Sequence, residues 1–399
     1  MSLFSAVELA PRDPILGLNE AFNADSRPTK VNLGVGVYFN EGGKIPLLRA
    51  VREAEQARVA AEQPRGYLPI EGIAAYNTAA QTLLLGQSSP LIAEGRVVTA
   101  EALGGTGALK IGADFLKRLK PAAKVAISDP SWENHRALFE GAGFEVVSYP
   151  YYDGATHGVN FAAMLDALNG YPAGTIVVLH ACCHNPTGVD LGEAQWKRIV
   201  EVVKARGLVP FLDIAYQGFG DSIETDALAV RLFAAAEVNT FVASSFSKSF
   251  SLYGERVGAL SIITDTKEEA ARVLSQLKRV IRTNYSNPPT HGASIVASIL
   301  NTPALRATWE QELAEMRDRI RAMRNGLVER LKAAGVDRDF GFVNAQRGMF
   351  SYSGLTAAQV DRLREEFGIY AVSTGRICVA ALNTRNIDVV ANAIAHVIK

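Results

Sequence analysis

Residues 244–258 read Ser244-Ser245-Phe246-Ser247-Lys248-Ser249-Phe250-Ser251-Leu252-Tyr253-Gly254-Glu255-Arg256-Val257-Gly258. The run before them, Thr240 to Ala243, is apolar and predicts a buried strand. A surface loop would carry charges of mixed kind. Here one amine sits among small hydroxyls at the end of a core strand, and one arginine follows after a glycine turn. Burial disfavours an ammonium, so a lysine in this position has a lowered pKa and becomes a nucleophile toward carbonyls. A guanidinium keeps its charge and its fork of donors suits a phosphate. Together they point to a phosphorylated carbonyl compound held as a Schiff base on Lys248, with pyridoxal 5'-phosphate as the candidate. Taken alone, the stretch would also fit a lysine that merely closes a strand.

Working outward, the chain has 399 residues, 48% hydrophobic and 21% charged, with a formal net charge of zero. That length predicts two domains. A neutral balance and a pI near 7.0 leave no electrostatic footprint for nucleic acid or an anionic membrane surface. No apolar run is long enough to span a bilayer, and residues 1–11 lack a signal-peptide pattern. Three cysteines do not make a disulfide framework, so a reducing, cytoplasmic setting is expected.

On the N-terminal side, a helix is expected to open near Asp13-Pro14. The alternating glycines of Val31 to Tyr38 make a loop or short edge strand that another group can approach closely. Ala50 to Ala61 predicts a helix, and Arg65 to Gly72 a turn-rich loop bearing Tyr67. Arg96 to Ala102 predicts a strand, running through Gly104-Gly105-Thr106-Gly107 into a helix from Ala108 to Leu119. Such a glycine turn offers backbone N–H groups to a phosphate. It matches neither the nucleotide P-loop nor the full dinucleotide fingerprint. Strands are expected at Lys124 to Ser128, Thr175 to Leu179, Leu208 to Leu212 and Val257 to Ile263, in a series of βα units. Their ends carry Trp132, Asn185, and Asp213 with Tyr216 shortly after. A carboxylate closing an apolar strand is costly unless it meets a donor or caps a helix; a pyridinium N–H would be such a donor. His180, Cys182, Cys183 and His184 invite a metal reading. Adjacent cysteines are expected to point apart, and no second pair completes a site, so no metal is expected.

Farther on, Val280 to Pro289 reads as a polar loop around Arg282. Pro303 to Ala334 predicts one long amphipathic helix, with Leu305, Trp309, Leu313, Met316, Ile320, Met323, Leu327 and Leu331 as its apolar stripe. Short strands near Gly348 to Tyr352 and Ile369 to Val372 flank a helix from Thr356 to Phe367. Arg376 opens an apolar strand, an odd place for a charge unless it clamps a carboxylate. A last helix starts near Asn386.

In this order the pieces resemble the class I aminotransferases of the aspartate aminotransferase fold. The runs HNPTG, FLDIAYQGFG, SFSKSFSLYGERVG and NYSNPP carry the resemblance, which extends over essentially the whole chain. DPSWENH, GMFSYSGLTAAQVDRLREEFGIY and GRICVAALN bring it nearest to the bacterial aromatic-amino-acid enzymes. It implies an α/β chain of fold type I. A large domain over 48–302 would hold a mostly parallel seven-stranded sheet. Residues 1–47 and 303–399 would form a smaller α/β domain.

The resemblance also implies roles. Lys248 would bind the cofactor and later shuttle the substrate Cα proton. Asp213 would face the pyridine nitrogen, with His135 supporting it. Tyr216 and Asn185 would bond the phenolic oxygen, and Trp132 would stack on the ring. Gly105, Thr106, Ser245 and Arg256 would hold the phosphate, joined by Tyr67 from a second subunit. Arg376 would grip the substrate α-carboxylate, helped by Asn185 and the backbone around Gly36. Arg282 of the other subunit would meet a second carboxylate, which requires a homodimer. The substrates would be small amino acids and oxo acids, glutamate and 2-oxoglutarate among them, exchanged in a ping-pong sequence. Gly66 leans toward aromatic partners and Asn287 toward aspartate, so dual specificity with an aromatic preference is expected. A strict aspartate enzyme is the alternative. A nicotinamide dehydrogenase, suggested by the glycine turn alone, would leave Lys248, Asp213 and Arg376 unused.

Overall fold

The computed structural model describes residues 2–10 and 15–399. The helix opening expected at Asp13-Pro14 lies outside them; the helix itself runs Leu16–Ala24. Seven apolar runs form the central sheet. They are β1 (Val97–Leu103), β2 (Lys124–Asp129), β3 (Glu145–Pro150), β4 (Ile176–His180), β5 (Val209–Ile214), β6 (Phe241–Ser245) and β7 (Val257–Ile263). Their spatial order is β1-β7-β6-β5-β4-β2-β3. All neighbours are parallel except at β7, which runs against both β1 and β6.

Successive residues along these strands enter two different cores. Val177, Leu179, Leu212 and Val242 join one, while Val178, Phe211 and Ala243 join the other. Side chains alternate across a strand, so a sheet covered on both faces must be apolar at nearly every position. This is why the strands read as unbroken apolar runs. Helix Gly104–Leu119 packs against β6 and β7, with Lys267–Asn284 alongside it.

The long helix Pro303–Ala333 packs against Arg49–Ala60, His291–Asn301 and Ile387–Ile398. Its stripe is buried at Trp309, Leu313, Met316, Ile320, Leu327 and Leu331, while Leu305 and Met323 are partly covered. Two of its buried residues also bond to neighbouring segments. Glu312 accepts from the backbone N–H groups of Arg49 (2.7 Å) and Ala50 (3.2 Å), supplying the cap that the Arg49–Ala60 helix lacks locally. Trp309 donates to the Ser249 carbonyl at 2.7 Å and stacks on Phe250 at 4.5 Å, so the helix braces the lysine turn. Two small pairings complete this part: Val31–Asn32 runs parallel to Ile369–Tyr370, and Phe350–Tyr352 antiparallel to Arg376–Cys378.

Three expectations need correction. Helix Gly104–Leu119 begins at Gly104, so the glycine turn is its first turn rather than a loop before it. Val280 to Asn284 is no loop: the helix Lys267–Asn284 continues through it, because Val280 and Ile281 extend the buried face of Leu277 while Arg282, Thr283 and Asn284 face outward. Cys182 and Cys183 do not point apart. Their ligand atoms and a carboxylate oxygen of Asp226 all lie within 4.8 Å of one another. The strand ends at His180, and Cys183 has φ 51°, so the alternation of a strand no longer applies. That carboxylate is already engaged by the N–H groups of Gly218, Gly220 and Asp221.

Candidate active site

Parallel strands bring their C-terminal ends to one edge, and ligands of such sheets bind there. His180 lies opposite Asp213, and Asp213 opposite Ala243, in adjacent strands. The reversed β7 starts at the same edge, with Val257 opposite Leu103. Above this edge is a cavity of about 300 Å³. Of the residues singled out from sequence, Lys248, Asp213, Tyr216, Trp132, Asn185, Gly36, Gly105, Thr106, Ser245, Arg256 and Arg376 all line it. Tyr67 and Arg282 do not. Tyr67 is 98% exposed, and Arg282 is exposed on its helix, bonded to Ser286.

One end of the cavity is a cradle. The helix starting at Gly104 has no side-chain cap; the Gly104 N–H donates to the Arg256 carbonyl at 3.0 Å, and the N–H groups of Gly105 and Thr106 remain available. Gly104 has φ 70°, and a Cβ there would lie 2.3 Å from an Arg256 guanidinium nitrogen. Only glycine lets that guanidinium reach the helix N-terminus. Arg256 is aimed by the Tyr253 carbonyl (2.9 Å) and Ser247 Oγ (3.5 Å). Free amides, hydroxyls and a guanidinium with no carboxylate partner among the described residues fit a phosphate.

Next to the cradle is Lys248. Its Nζ stands 5.0 Å from the centre of the Tyr216 ring. Burial pushes the amine down to about 8, against the attraction of Asp213 and with the repulsion of Arg256. Tyr216 itself is pushed upward by burial, so its hydroxyl stays protonated and can donate.

Asp213 ends a chain of hydrogen bonds with a single direction. The Asn185 backbone N–H donates to His180 Nδ1 at 3.4 Å, which leaves the neutral ring's proton on Nε2. Nε2 meets Ser131 Oγ at 3.2 Å, Ser131 Oγ meets His135 Nδ1 at 2.9 Å, and His135 Nε2 meets Asp213 Oδ2 at 2.8 Å. Every proton therefore points toward the carboxylate. Burial keeps His180 well below the usual histidine range, consistent with a neutral ring. Burial alone would raise the Asp213 carboxyl. The His135 hydrogen bond, with the charge of Lys248, outweighs it and holds Asp213 below its ordinary value. A buried anion in this position fits a protonated ring nitrogen. The sequence pointed to His135 but not to Ser131, whose only signal was polarity after a strand end, and it raised His180 only as a metal ligand.

At the other end lies Arg376, 1% exposed. Its guanidinium donates to the Gly34 carbonyl (2.7 Å) and Asn185 Oδ1 (3.2 Å), and stands 4.4 Å from the Phe350 ring centre. Nε has no hydrogen bond, and no carboxylate pairs with the group among the described residues. Burying a guanidinium without a counter-ion is costly, so the arrangement fits an incoming carboxylate. Phe350, which sequence reading gave no role, also limits the space at Gly36, where a Cβ would lie 2.8 Å from its ring.

A family model described as aminotransferase class I and II matches residues 28–394. An aspartate aminotransferase of Pseudomonas aeruginosa is 72% identical over 398 residues, covering all of both chains. An aromatic-amino-acid aminotransferase of Escherichia coli is 55% identical, covering 99% of this chain and all of its own. Among solved structures, an aromatic-amino-acid aminotransferase from Burkholderia pseudomallei, covalently bound to pyridoxal phosphate, is 83% identical. It superposes with a TM-score of 0.99 over the whole of both chains.

Proposed function

Since this chain belongs to the class I and II aminotransferases and works with pyridoxal phosphate, we propose that it exchanges amino groups between 2-oxoglutarate and either aromatic amino acids or aspartate, with a preference for the aromatic donors. The observation that carries this is Arg376: a buried, unpaired guanidinium on the same cavity as Lys248. A carboxylate seated there would place Cα near the lysine amine. Trp132, Tyr253 and Phe350 give the cavity aromatic walls.

Pyridoxal phosphate, when bound, supplies an electron sink that acidifies the substrate Cα–H. The protein's residues then divide the work. Gly105, Thr106, Ser245 and Arg256 would hold the phosphate. Asp213, kept ionised by its chain of donors, would hold a proton on the ring nitrogen. Tyr216 and Asn185 would orient toward the phenolic oxygen, and Trp132 would cover the ring. The Lys248 Nζ would take the proton from substrate Cα, and one positioned amine can also return it, since the same group is nucleophile and base.

Tyr67 and Arg282 would serve the cavity of a second copy of the chain. In support, Tyr67, Leu3, Phe4, Val7 and Leu9 are all largely exposed, an apolar surface suited to a homodimer. The division into residues 48–302 and the remainder, with the long helix as strut, belongs to the same reading, as does a cytoplasmic setting. Among the described residues no helix is long and apolar enough to cross a membrane.

Strict aspartate specificity is the second reading. It is favoured by the name of the 72% identical relative and by Asn287, whose amide donates to the Leu68 carbonyl at 3.1 Å and so pins the loop of Tyr67. Measuring kcat/KM for phenylalanine and for aspartate, each with 2-oxoglutarate, decides between them. Comparable values, or an aromatic preference, are expected. Aspartate favoured about a thousandfold, roughly 4 kcal/mol, rejects the aromatic assignment.

A further inference from the structure

A second cavity, of about 400 Å³, lies away from the lysine, between the long helix, the loop after β5 and the segment leading into Phe350–Tyr352. Four arginines line it, Arg317, Arg321, Arg324 and Arg347, against one lining carboxylate, Asp221. That carboxylate is fully used. One oxygen takes Arg321 at 2.8 Å and the other takes Arg347 at 2.8 Å.

Neither of the other two guanidinium groups has a carboxylate within hydrogen-bond distance among the described residues. Arg324 is 2% exposed and bonded only to neutral oxygens, the carbonyls of Val343, Gly348 and Phe350 and the Ser351 hydroxyl. No carboxylate pairs with it among the described residues. Arg317 donates to the Gly218 carbonyl at 3.1 Å. Its Nε is buried without a hydrogen bond, and the exposed carboxylate of Asp318 is 3.7 Å away. Arg321 and Arg347 are half-exposed, but a guanidinium as buried as Arg324, with no counter-ion, is costly unless an anion joins it. The same wall carries Gln346, 3% exposed, whose Nε2 donates to the Tyr352 carbonyl while Oε1 accepts nothing. A ligand that completes this set brings negative oxygens for the arginines and one hydrogen for the amide oxygen.

We propose that this cavity is a binding site for inorganic phosphate, as hydrogenphosphate, separate from the cofactor cradle. Phosphate oxygens match guanidinium forks, and the remaining O–H can satisfy Gln346. Sulfate has the same size and charge but no hydrogen to give. A bound ion would tie Arg317 and Arg321, one turn apart on the long helix, to Arg347 on the segment that supports Phe350.

Calorimetric titration of the cofactor-loaded protein with inorganic phosphate, at ionic strength matched with sodium chloride, tests this. Loading fills the Arg256 cradle, which then cannot account for the signal. One saturable site per chain is expected, tighter for phosphate than for sulfate. The double variant Arg317→Ala, Arg321→Ala should weaken it by about tenfold or more. If that variant fails to fold, Arg317→Lys with Arg321→Lys keeps the charge but loses the forks, and should weaken binding likewise. Gln346→Leu should erase the preference over sulfate. Absence of saturable binding, equal affinity for the two anions, or unchanged affinity in the arginine variants overturns the proposal. None of these outcomes bears on amino transfer, because turnover is not the readout.

Discussion

In the role proposed for it, Lys248 has to be an amine that loses its proton easily and a base that can take one, and its surroundings set both. Burial lowers its pKa to about 8, and Arg256 adds to that shift while Asp213 resists it. The attacking form is the neutral amine, so the rate at which cofactor-free protein captures pyridoxal phosphate should rise with pH through about 8 and level off above it. Stopped-flow absorbance across that range checks this. A profile still climbing toward the ordinary lysine value of 10.5 would show that burial does not tune the group. Lys248→Ala should cut turnover by about 10⁴-fold or more while leaving the phosphate cradle intact.

Individual residues were legible in the sequence wherever an apolar run isolated them. Lys248, Asp213 and Arg376 each stand against a stretch of buried strand, where a charge has to be explained. Arg324 stayed hidden because it belongs to a helix with five other arginines, none of them buried, and only packing shows that this one is 2% exposed. The Asn185–His180–Ser131–His135 chain was invisible for a different reason. Ser131 and His180 lie 49 positions apart, and only the parallel pairing of β2 with β4 brings them together.

At the level of elements, edge strand β1 carries a charge that its position makes expensive. Glu101 is 2% exposed and bonded at its side chain only to the Ile73 N–H at 3.2 Å, with no cation in reach among the described residues. Burial pushes its carboxyl up to about 7. A carboxyl raised above its unfolded value contributes stability fully present below that value, lost as pH climbs through the folded one. Glu101 should therefore weaken the fold between about pH 4.5 and about pH 7, by roughly 1–3 kcal/mol. Glu101→Gln keeps the acceptor for Ile73 and removes the charge. Its denaturation midpoint should match the parent's in acid and exceed it above neutrality; parallel curves at both extremes would count against this account. Elements differ in how well they could be read. β7 and the long helix were bounded by their periodicity. The helix Lys267–Asn284 was not read, and its last turn was taken as loop, because Arg282, Thr283 and Asn284 close it with exposed polar residues.

For the whole molecule, Tyr67 and Arg282 face away from the cavity that their own chain builds. If each serves a neighbouring copy, two inactive variants should rescue one another. Lys248→Ala chains mixed with Arg282→Ala chains after unfolding and refolding should give mixed dimers with one intact site and one doubly damaged site. Statistical mixing restores about a quarter of the sites for a dicarboxylate substrate. Recovery no greater than the sum of the two variants would mean that Arg282 acts in its own chain or not at all.

The cavity also draws on residues from Gly34 to Arg376, which is most of the chain. During synthesis on the ribosome, the phosphate cradle, the aspartate and the lysine all emerge well before the carboxylate clamp. On the roles proposed above, a growing chain thus acquires what it needs to hold a vitamin long before it can grip an amino acid. No shortened product of translation that stops before Arg376 could carry a complete clamp.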